Sequence, residues 1–507
     1  MPRNRTFIDL VPALPGDLDE SATPGVAGDL LQSWSSELVR PQAARPGAGA
    51  VLPDGAAVVP YLATSWRADR RGDYTFQLRR GVRGQTGDLF TAADVRWSIA
   101  RDLATSPVAP FLFALARLDT RNPVTVLGPY AVRINVTAPS PFMLGALSWF
   151  SEGIYDRRRY LAHSSTSDPW AQRWGATHSS TFGAYYVSDV IAGRRIVLLA
   201  NPHSWVRPYY RRVEIRQVES GGRRVSDVIA GAADHTSGVD WATFTQVALY
   251  GSASHVRASI LQSGPAVESW LLGEQHGALA SVLVRRALSL AIDRSAISGR
   301  IYAGRATPDV LSIPPIYGHS QPAGYFAAQA RELLAAAGYR HGLTLRVYVS
   351  ALLAGGDVAK ELALLSTELA QVGVTLRPTI VYNDDQLLAL RQAHRLPSTI
   401  EDIAPLIGGA AFSLIENYDA RIDPASPAAA DGYTSPAVAA LLSEIDSTLP
   451  GARLQRLVSR AGELIDADVP QVNLVEVPVQ NVTRSEVTGY GAYAVPVTYY
   501  EYLHPSR

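Results

Sequence analysis

The sequence predicts an α/β protein of two or three domains. Its 507 residues exceed the length that a single hydrophobic core usually supports. Beyond position 280, segments with the alternating period of strands are interleaved with segments that have the longer period of amphipathic helices. This order of elements is typical of a mixed α/β domain.

The stretch 73–101 gives the clearest local structure. Apolar and polar residues alternate from Tyr74 to Leu78, as they do in a half-buried strand, and a glycine-rich turn region follows. Thr91 then fits the N-cap of a helix, because Asp94 stands three residues later, ahead of an apolar run. The stretch therefore predicts a strand, a turn and a capped helix.

Further elements follow from the same periods. The predicted strands are 195–200, 211–218 and 343–349, and the predicted helices are 284–296, 326–337 and 360–372. Gly338 directly follows the second of these helices, where a glycine commonly ends a helix. Asp384 and Asp385 follow another apparent strand. We favour a helix N-terminus for this pair, since carboxylates suit the positive end of a helix dipole, over a role as base or cation ligand.

Composition and charge exclude several classes of function. The 46 basic and 46 acidic residues balance, which argues against a nucleic-acid partner or a membrane-surface footprint. The chain has no cysteine, so disulfides, thiolate nucleophiles and cysteine-ligated zinc are excluded. The sequence holds no apolar run of about 18 residues, the length needed for a membrane helix. We expect a monomer without nucleic acid and without membrane insertion.

Catalytic and metal-binding motifs do not emerge from the sequence. It lacks the Gly-x-Ser-x-Gly, His-Glu-x-x-His and Gly-Lys-Ser/Thr patterns, and its histidines are scattered. We therefore expect no cofactor and no metal, and we favour a non-catalytic binding protein over an enzyme. Any catalysis would rest on carboxylates, Tyr, His or Arg side chains.

Six segments in order along the chain resemble family 5 of the extracellular solute-binding proteins of ABC transporters, the peptide/nickel class that includes dipeptide- and oligopeptide-binding proteins. The most specific match is YTFQLRRGV followed by TAADVRWS within 74–98. VRRALSLAIDR is similar to a family motif that is mainly architectural. The matching segments are 60–66, 74–98, 182–205, 284–294, 330–339 and 432–436.

The resemblance implies a two-lobed fold like that of type II periplasmic binding proteins, with an extra domain of the cluster C kind. The domains would be discontinuous. A peptide-like or other small organic ligand would be captured in a cleft between the lobes for uptake by an ABC transporter, with an ABC permease as partner. Domain I would combine 1–42, 182–267 and 483–507, domain II would be 43–181, and domain III would be 268–482.

The resemblance also implies ligand contacts. Peptide-binding members often place an aspartate after a Gly-Trp pair to neutralise the α-ammonium of the ligand. Here Gly409 replaces the tryptophan and Phe412 stands at the aspartate position, unless the loop is shifted and an acidic residue further on substitutes. A buried ammonium without a carboxylate is costly, so we expect a ligand with an apolar or aromatic body that is not held by an α-amine. The expected contacts are Pro24, Gly25, Val26, Phe111, Trp270, Phe412, Glu416 and Asp419.

Two alternatives stay open at this point. The sequence runs from Met1 almost directly into an apparent first strand, with no apolar stretch and cleavage site before it. The protein is then cytoplasmic if Met1 is the native start, and extracellular or at the cell surface if a signal was removed. A cytoplasmic protein would reuse the fold as a biosynthetic enzyme or to sequester a ligand. For each aromatic residue among the expected contacts, a position in the hydrophobic core is a simpler interpretation than contact with a ligand.

Overall fold

The computed structural model describes residues 6–19, 28–43, 57–149, 153–262, 266–319, 321, 324–351, 356–403, 409–421, 432–491, 493 and 497–506. Three expected contacts, Pro24, Gly25 and Val26, lie outside these ranges. The described chain divides into two compact units. The first contains the described parts of 6–43, 57–261 and 479–506, and the second contains those of 262–478.

The strands follow in chain order. They are β1 (Thr6–Val11), β2 (Val39–Pro41), β3 (Val58–Pro60), β4 (Ala63–Ala68), β5 (Tyr74–Leu78), β6 (Val124–Gly128), β7 (Ala131–Ile134), β8 (Tyr185–Ile191), β9 (Arg195–Ala200), β10 (Arg212–Gln217), β11 (His235–Ser237), β12 (Val256–Gln262), β13 (Val267–Leu272), β14 (Thr307–Pro308), β15 (Leu343–Ser350), β16 (Val374–Val381), β17 (Ser398–Ile403), β18 (Gln471–Glu476), β19 (Val479–Arg484), β20 (Val487–Thr488) and β21 (His504–Pro505).

The helices alternate with these strands. They are α1 (Gly28–Leu31), α2 (Ala92–Thr105), α3 (Ala109–Leu115), α4 (Met143–Ala146), α5 (Arg157–His163), α6 (Gln172–Gly175), α7 (Gly221–Ile229), α8 (Trp241–Tyr250), α9 (Val282–Leu290), α10 (Arg294–Ile301), α11 (Ala327–Ala336), α12 (Gly356–Gln371), α13 (Asp384–Gln392), α14 (Ala410–Tyr418), α15 (Pro436–Asp446) and α16 (Ala452–Asp468).

The first unit is built on two larger sheets. The described strands of one sheet run in the order β12, β19, β11, β1, β10, β9, β8, and β1 pairs in parallel with both β10 and β11. The other sheet is antiparallel, in the order β4, β5, β7, β6. In β5 the predicted alternation is confirmed, because Tyr74, Phe76 and Leu78 are buried. The predicted cap of α2 is also confirmed, since the Thr91 N–H donates to the Asp94 carboxylate at 2.8 Å.

The second unit has one mixed sheet at its core, with the described strands in the order β14, β18, β13, β17, β15, β16. Every residue of β13 is buried, so the centre of the sheet is covered on both faces. The strands β15 and β16 are parallel, and α12 provides the crossover that parallel neighbours need. The helices α9 and α10 both pack against β18.

Several local predictions are confirmed. The predicted strand 195–200 is β9, and the predicted helix 326–337 corresponds to α11. Gly338 beyond that helix has φ +94°, which suits a residue without a Cβ. The helix α13 begins at Asp384, as the favoured interpretation of this acidic pair requires.

One predicted helix is wrong in extent. Segment 284–296 is not continuous, because α9 ends at Leu290 and α10 begins at Arg294. The reason is local, since Asp293 caps α10 by accepting a hydrogen bond from the Ala296 N–H at 2.9 Å. Apolar residues continue across the break because both helices pack against the same strand. The break directs Arg294 into the core of the second unit, where its side chain is buried.

The predicted division into domains I, II and III stays a prediction. In the described part of the chain, no helix is both long enough and apolar enough to cross a membrane.

Candidate functional site

Two of the expected ligand contacts lie in different units. Phe111 is half-buried on α3 of the first unit. Trp270 lies at the centre of β13 in the second unit, is 0% exposed, and donates from its indole Nε1 to the Ser398 hydroxyl at 2.9 Å. The indole is thus a satisfied core residue of the sheet, and its contact with a ligand stays a prediction.

The other three described contacts lie on or next to one helix. Phe412 and Glu416 belong to α14, and Asp419 is the residue that ends it. Phe412 is 1% exposed and Glu416 is half-buried. This helix is buried along most of its length because it packs against both α15 and α16. Their role in ligand binding stays a prediction.

The Asp419 carboxylate is already paired. It accepts hydrogen bonds from Arg421 Nε at 2.8 Å and Nη2 at 2.6 Å, and from the Arg421 backbone N–H at 3.0 Å. A bidentate arginine–carboxylate pair is among the stronger charge-assisted contacts in proteins. A ligand ammonium at Asp419 would have to compete with this guanidinium.

A small polar cavity borders the last turn of α14. Tyr418 lines it, and the Tyr418 hydroxyl is buried without a hydrogen-bond partner among the described residues. The cavity has a volume of about 60 Å³ and is also lined by Asp466, Gln471 and Asn473. A buried hydroxyl in a polar space of this size is a place where an ordered water is expected.

A larger cavity lies beside it in the second unit. Its volume is about 380 Å³, and it shares Ser289, Asp466 and other wall residues with the small cavity. Ends of α9 and α16 and one face of α11 form much of its wall. The residues that decide its chemistry are Arg286, Arg294 and Asp466, with Leu290, Phe326 and Leu333 as apolar surface.

Arg294 is the most deeply buried charge of this cavity, at 2% exposed. Its Nε donates to the Asn473 carbonyl oxygen at 2.6 Å, Nη1 donates to the Ser289 carbonyl oxygen at 2.9 Å, and Nη2 donates to the Ser289 hydroxyl at 3.0 Å. Burial lowers the pKa of Arg294 to about 10, although Asp309 and Glu368 act in the opposite direction. At neutral pH the guanidinium is therefore still charged.

The neighbouring carboxyl groups are biased towards their neutral form. Burial raises the pKa of Asp309 to about 7, although it accepts the Leu311 N–H at 3.0 Å. Burial also raises the pKa of Asp466, which accepts the Ser312 N–H at 2.6 Å. Burial thus shifts the pKa of both carboxyl groups upward, in the direction of the neutral form.

This cavity was not found from the sequence. The resemblance implies an architectural role for segment 284–294, and the sequence pattern predicts a single helix over 284–296. The signal that was missed is Asp293 as an N-cap, which places Arg294 in the first turn of a new helix. Among the described residues, no three His, Cys, Asp or Glu side chains gather as metal ligands. The expectation that no metal is bound stays a prediction.

Comparison with known sequences gives a consistent family. Residues 57–416 match the family model described as bacterial extracellular solute-binding proteins, family 5 Middle. Heme-binding protein A of Haemophilus influenzae is 26% identical over 345 residues, covering 63% of this chain and 61% of that protein. The periplasmic oligopeptide-binding protein OppA of Escherichia coli is 23% identical over 355 residues, covering 63% of this chain and 62% of that protein. The alignments thus span about three fifths of these curated relatives.

Solved structures match over nearly the whole chain. The ABC transporter-associated periplasmic binding protein DppA from Helicobacter pylori, in complex with peptide STSA, has a TM-score of 0.79 at 20% identity and covers 99% of this chain and 98% of its own. NikA from Brucella suis, in complex with Fe(III)-EDTA, has a TM-score of 0.81 at 19% identity and covers 99% and 100%. These likenesses confirm the predicted fold class.

Proposed function

The chain belongs to family 5 of the bacterial extracellular solute-binding proteins, and on that premise we propose that it captures a small organic or peptide-like ligand for uptake by an ABC transporter. The observation that carries the proposal is the family match over 57–416, which is well over half of the chain. An ABC permease is the partner that this role requires. The same premise supports action outside the cytoplasm and disfavours a cytoplasmic enzyme.

The family alone does not define the ligand class, because relatives are named for heme, glutathione, murein peptides and oligopeptides. Two observations argue against an anchor for a free α-amine on α14. Phe412, which is 1% exposed, stands where the resemblance would place the aspartate of peptide binders, and the Asp419 carboxylate is paired with Arg421. We therefore propose a ligand with an apolar or aromatic body that is not held through an α-amine.

Calorimetric titration with matched pairs of short peptides tests this ligand class. Each peptide is offered with a free N-terminus and with an acetylated one. We expect acetylation to change the dissociation constant by less than about threefold, because no anchoring carboxylate is lost. Submicromolar binding of free peptides that acetylation abolishes would contradict the proposal.

If acetylation does abolish binding, a substitution tests whether Asp419 is the carboxylate that holds the α-amine. Asp419→Asn removes the carboxylate and leaves the shape of the side chain nearly unchanged. We expect this variant to bind every peptide of the panel as the parent does. A selective loss of free-amine peptides in Asp419→Asn would identify Asp419 as the amine anchor.

A further inference from the structure

We infer that the 380 Å³ cavity of the second unit is a second binding site, which takes a small monocarboxylate with an apolar body. This inference goes beyond the proposed solute capture. None of the five expected ligand contacts that the structure describes lines this cavity. Its evidence is a buried cation without an ionic partner, a second arginine beside it, and an apolar wall of suitable size.

Arg294 is the deeply buried cation of this cavity. Its three hydrogen bonds go to neutral oxygen atoms, and no carboxylate lies within ion-pair distance of it in the described ranges. These bonds use one N–H of each nitrogen. The second N–H of Nη1 and of Nη2 has no partner among the residues described. A guanidinium held at 2% exposure normally has an anionic partner, because removing its charge from water is costly.

Arg286 lines the same cavity from the exposed face of α9. Its Nε and Nη2 both donate to the Ala467 carbonyl oxygen, at 3.2 and 2.7 Å. Its neighbour Arg285 is instead paired with Glu274 at 3.1 Å, outside this cavity. Arg286 therefore brings a second positive charge to the wall, held in place by a neutral oxygen.

Asp466 is the carboxylate of the described cavity wall, and its oxygen already accepts the Ser312 N–H. Two guanidinium groups thus line the wall together with one carboxyl group, while Asp309 and Glu368, which also act on Arg294, are not among the described lining residues. Such a wall favours an anion, and the planar fork of an arginine suits a carboxylate best.

The apolar part of the cavity wall suits an apolar ligand body. The volume of about 380 Å³ lies in the range of small-molecule sites, and Leu290, Phe326 and Leu333 line part of it. Phe326 is 53% exposed, so its ring has apolar surface left for a ligand. A carboxylate attached to a short aromatic chain matches both parts of the wall. The simplest probes are 3-phenylpropionate and its uncharged amide.

The test is titration of the full chain with 3-phenylpropionate and with 3-phenylpropanamide. We expect the acid to bind with one-to-one stoichiometry, and the amide to bind about tenfold more weakly or not at all, since it lacks the charge. Equal binding of acid and amide, or no binding of the acid up to about 10 mM, would overturn the inference.

Variants place the binding in this cavity. Arg286→Gln alters an exposed side chain and should fold, and we expect it to weaken 3-phenylpropionate binding about fivefold or more. Arg207→Gln alters an exposed arginine of the first unit and is the matched control, for which no change is expected. Unchanged binding in Arg286→Gln, or an equal loss in Arg207→Gln, would show that this cavity is not the site. Arg294→Lys is a further variant, but its burial makes loss of folding a separate outcome that circular dichroism detects.

Discussion

Replacing Arg40 by alanine is expected to lower the free energy of unfolding by about 3–5 kcal/mol, because it leaves two buried carboxylates without their cation. The Arg40 side chain is 3% exposed and pairs with Glu37 at 3.0 Å and with Glu501. Its guanidinium also lies 3.4 Å from the ring centre of Tyr61 and 4.3 Å from that of Tyr499. Burial already raises the pKa of Glu37, so losing the arginine adds to an existing cost.

The control is an arginine with a single exposed ring contact. The guanidinium of Arg80 lies 5.3 Å from the ring centre of Tyr130, and the residue is exposed. We expect Arg80→Ala to cost at most about 1 kcal/mol. Urea unfolding of both variants measures the difference. Equal losses in the two variants would show that burial of the Arg40 cluster contributes nothing special to stability.

The substitution Glu361→Gln is expected to raise the free energy of unfolding at pH 8 by about 1–3 kcal/mol, with a gain that shrinks towards pH 5. Glu268 in β13 and Glu361 in α12 interact in the core of the second unit, where they are 7% and 0% exposed. Burial raises the pKa of both carboxyl groups from the ordinary value of 4.5, well above it for Glu268. Asp402, whose pKa burial raises to about 6, adds negative charge nearby.

The direction in which stability changes with pH follows from proton binding. Both glutamates hold protons more tightly in the folded than in the unfolded chain, so folding takes up protons above pH 4.5. Their contribution to stability is therefore greatest at low pH and is lost as the pH rises through their folded pKa values. Glutamine at position 361 removes one of these two titrating groups. It therefore also removes the share of the stability loss at high pH that this group causes.

Glu332 on α11 is exposed and provides the matched control. We expect Glu332→Gln to change stability by less than about 0.5 kcal/mol, with no trend in pH. Denaturant unfolding at pH 5, 6, 7 and 8 gives the four values needed for each variant. A Glu361→Gln protein that loses the same stability at pH 8 as at pH 5 would contradict the account of this pair.

Local patterns predicted much of the fold. The alternation in β5 and the Thr91–Asp94 cap follow from neighbours within a few residues, and both are confirmed. Segment 284–296 was misjudged because the apolar period continues through Asp293, while the cap there starts a new helix. Period alone does not distinguish one helix from two that pack against the same strand.

Local sequence patterns could not predict the candidate cavity, because contacts between distant parts of the chain form it. Arg294 is held by the carbonyl oxygen of Asn473, 179 residues further along the chain, and no spacing in the sequence indicates that contact. Trp270 was chosen from its family position alone, and the sequence did not reveal its surroundings. The structure places its indole in the sheet core with a hydrogen bond to Ser398, and its contact with a ligand stays a prediction.

We propose that this chain binds a solute and releases it unchanged. Native mass spectrometry of the full chain, incubated with a pool of acetylated peptides and small aromatic acids, tests that claim most directly. We expect the chain to form a complex with a compound from the pool. When the complex is denatured, the recovered ligand should have the same mass as that compound. A chain that retains no compound, or that returns a compound with altered mass, would contradict this proposal.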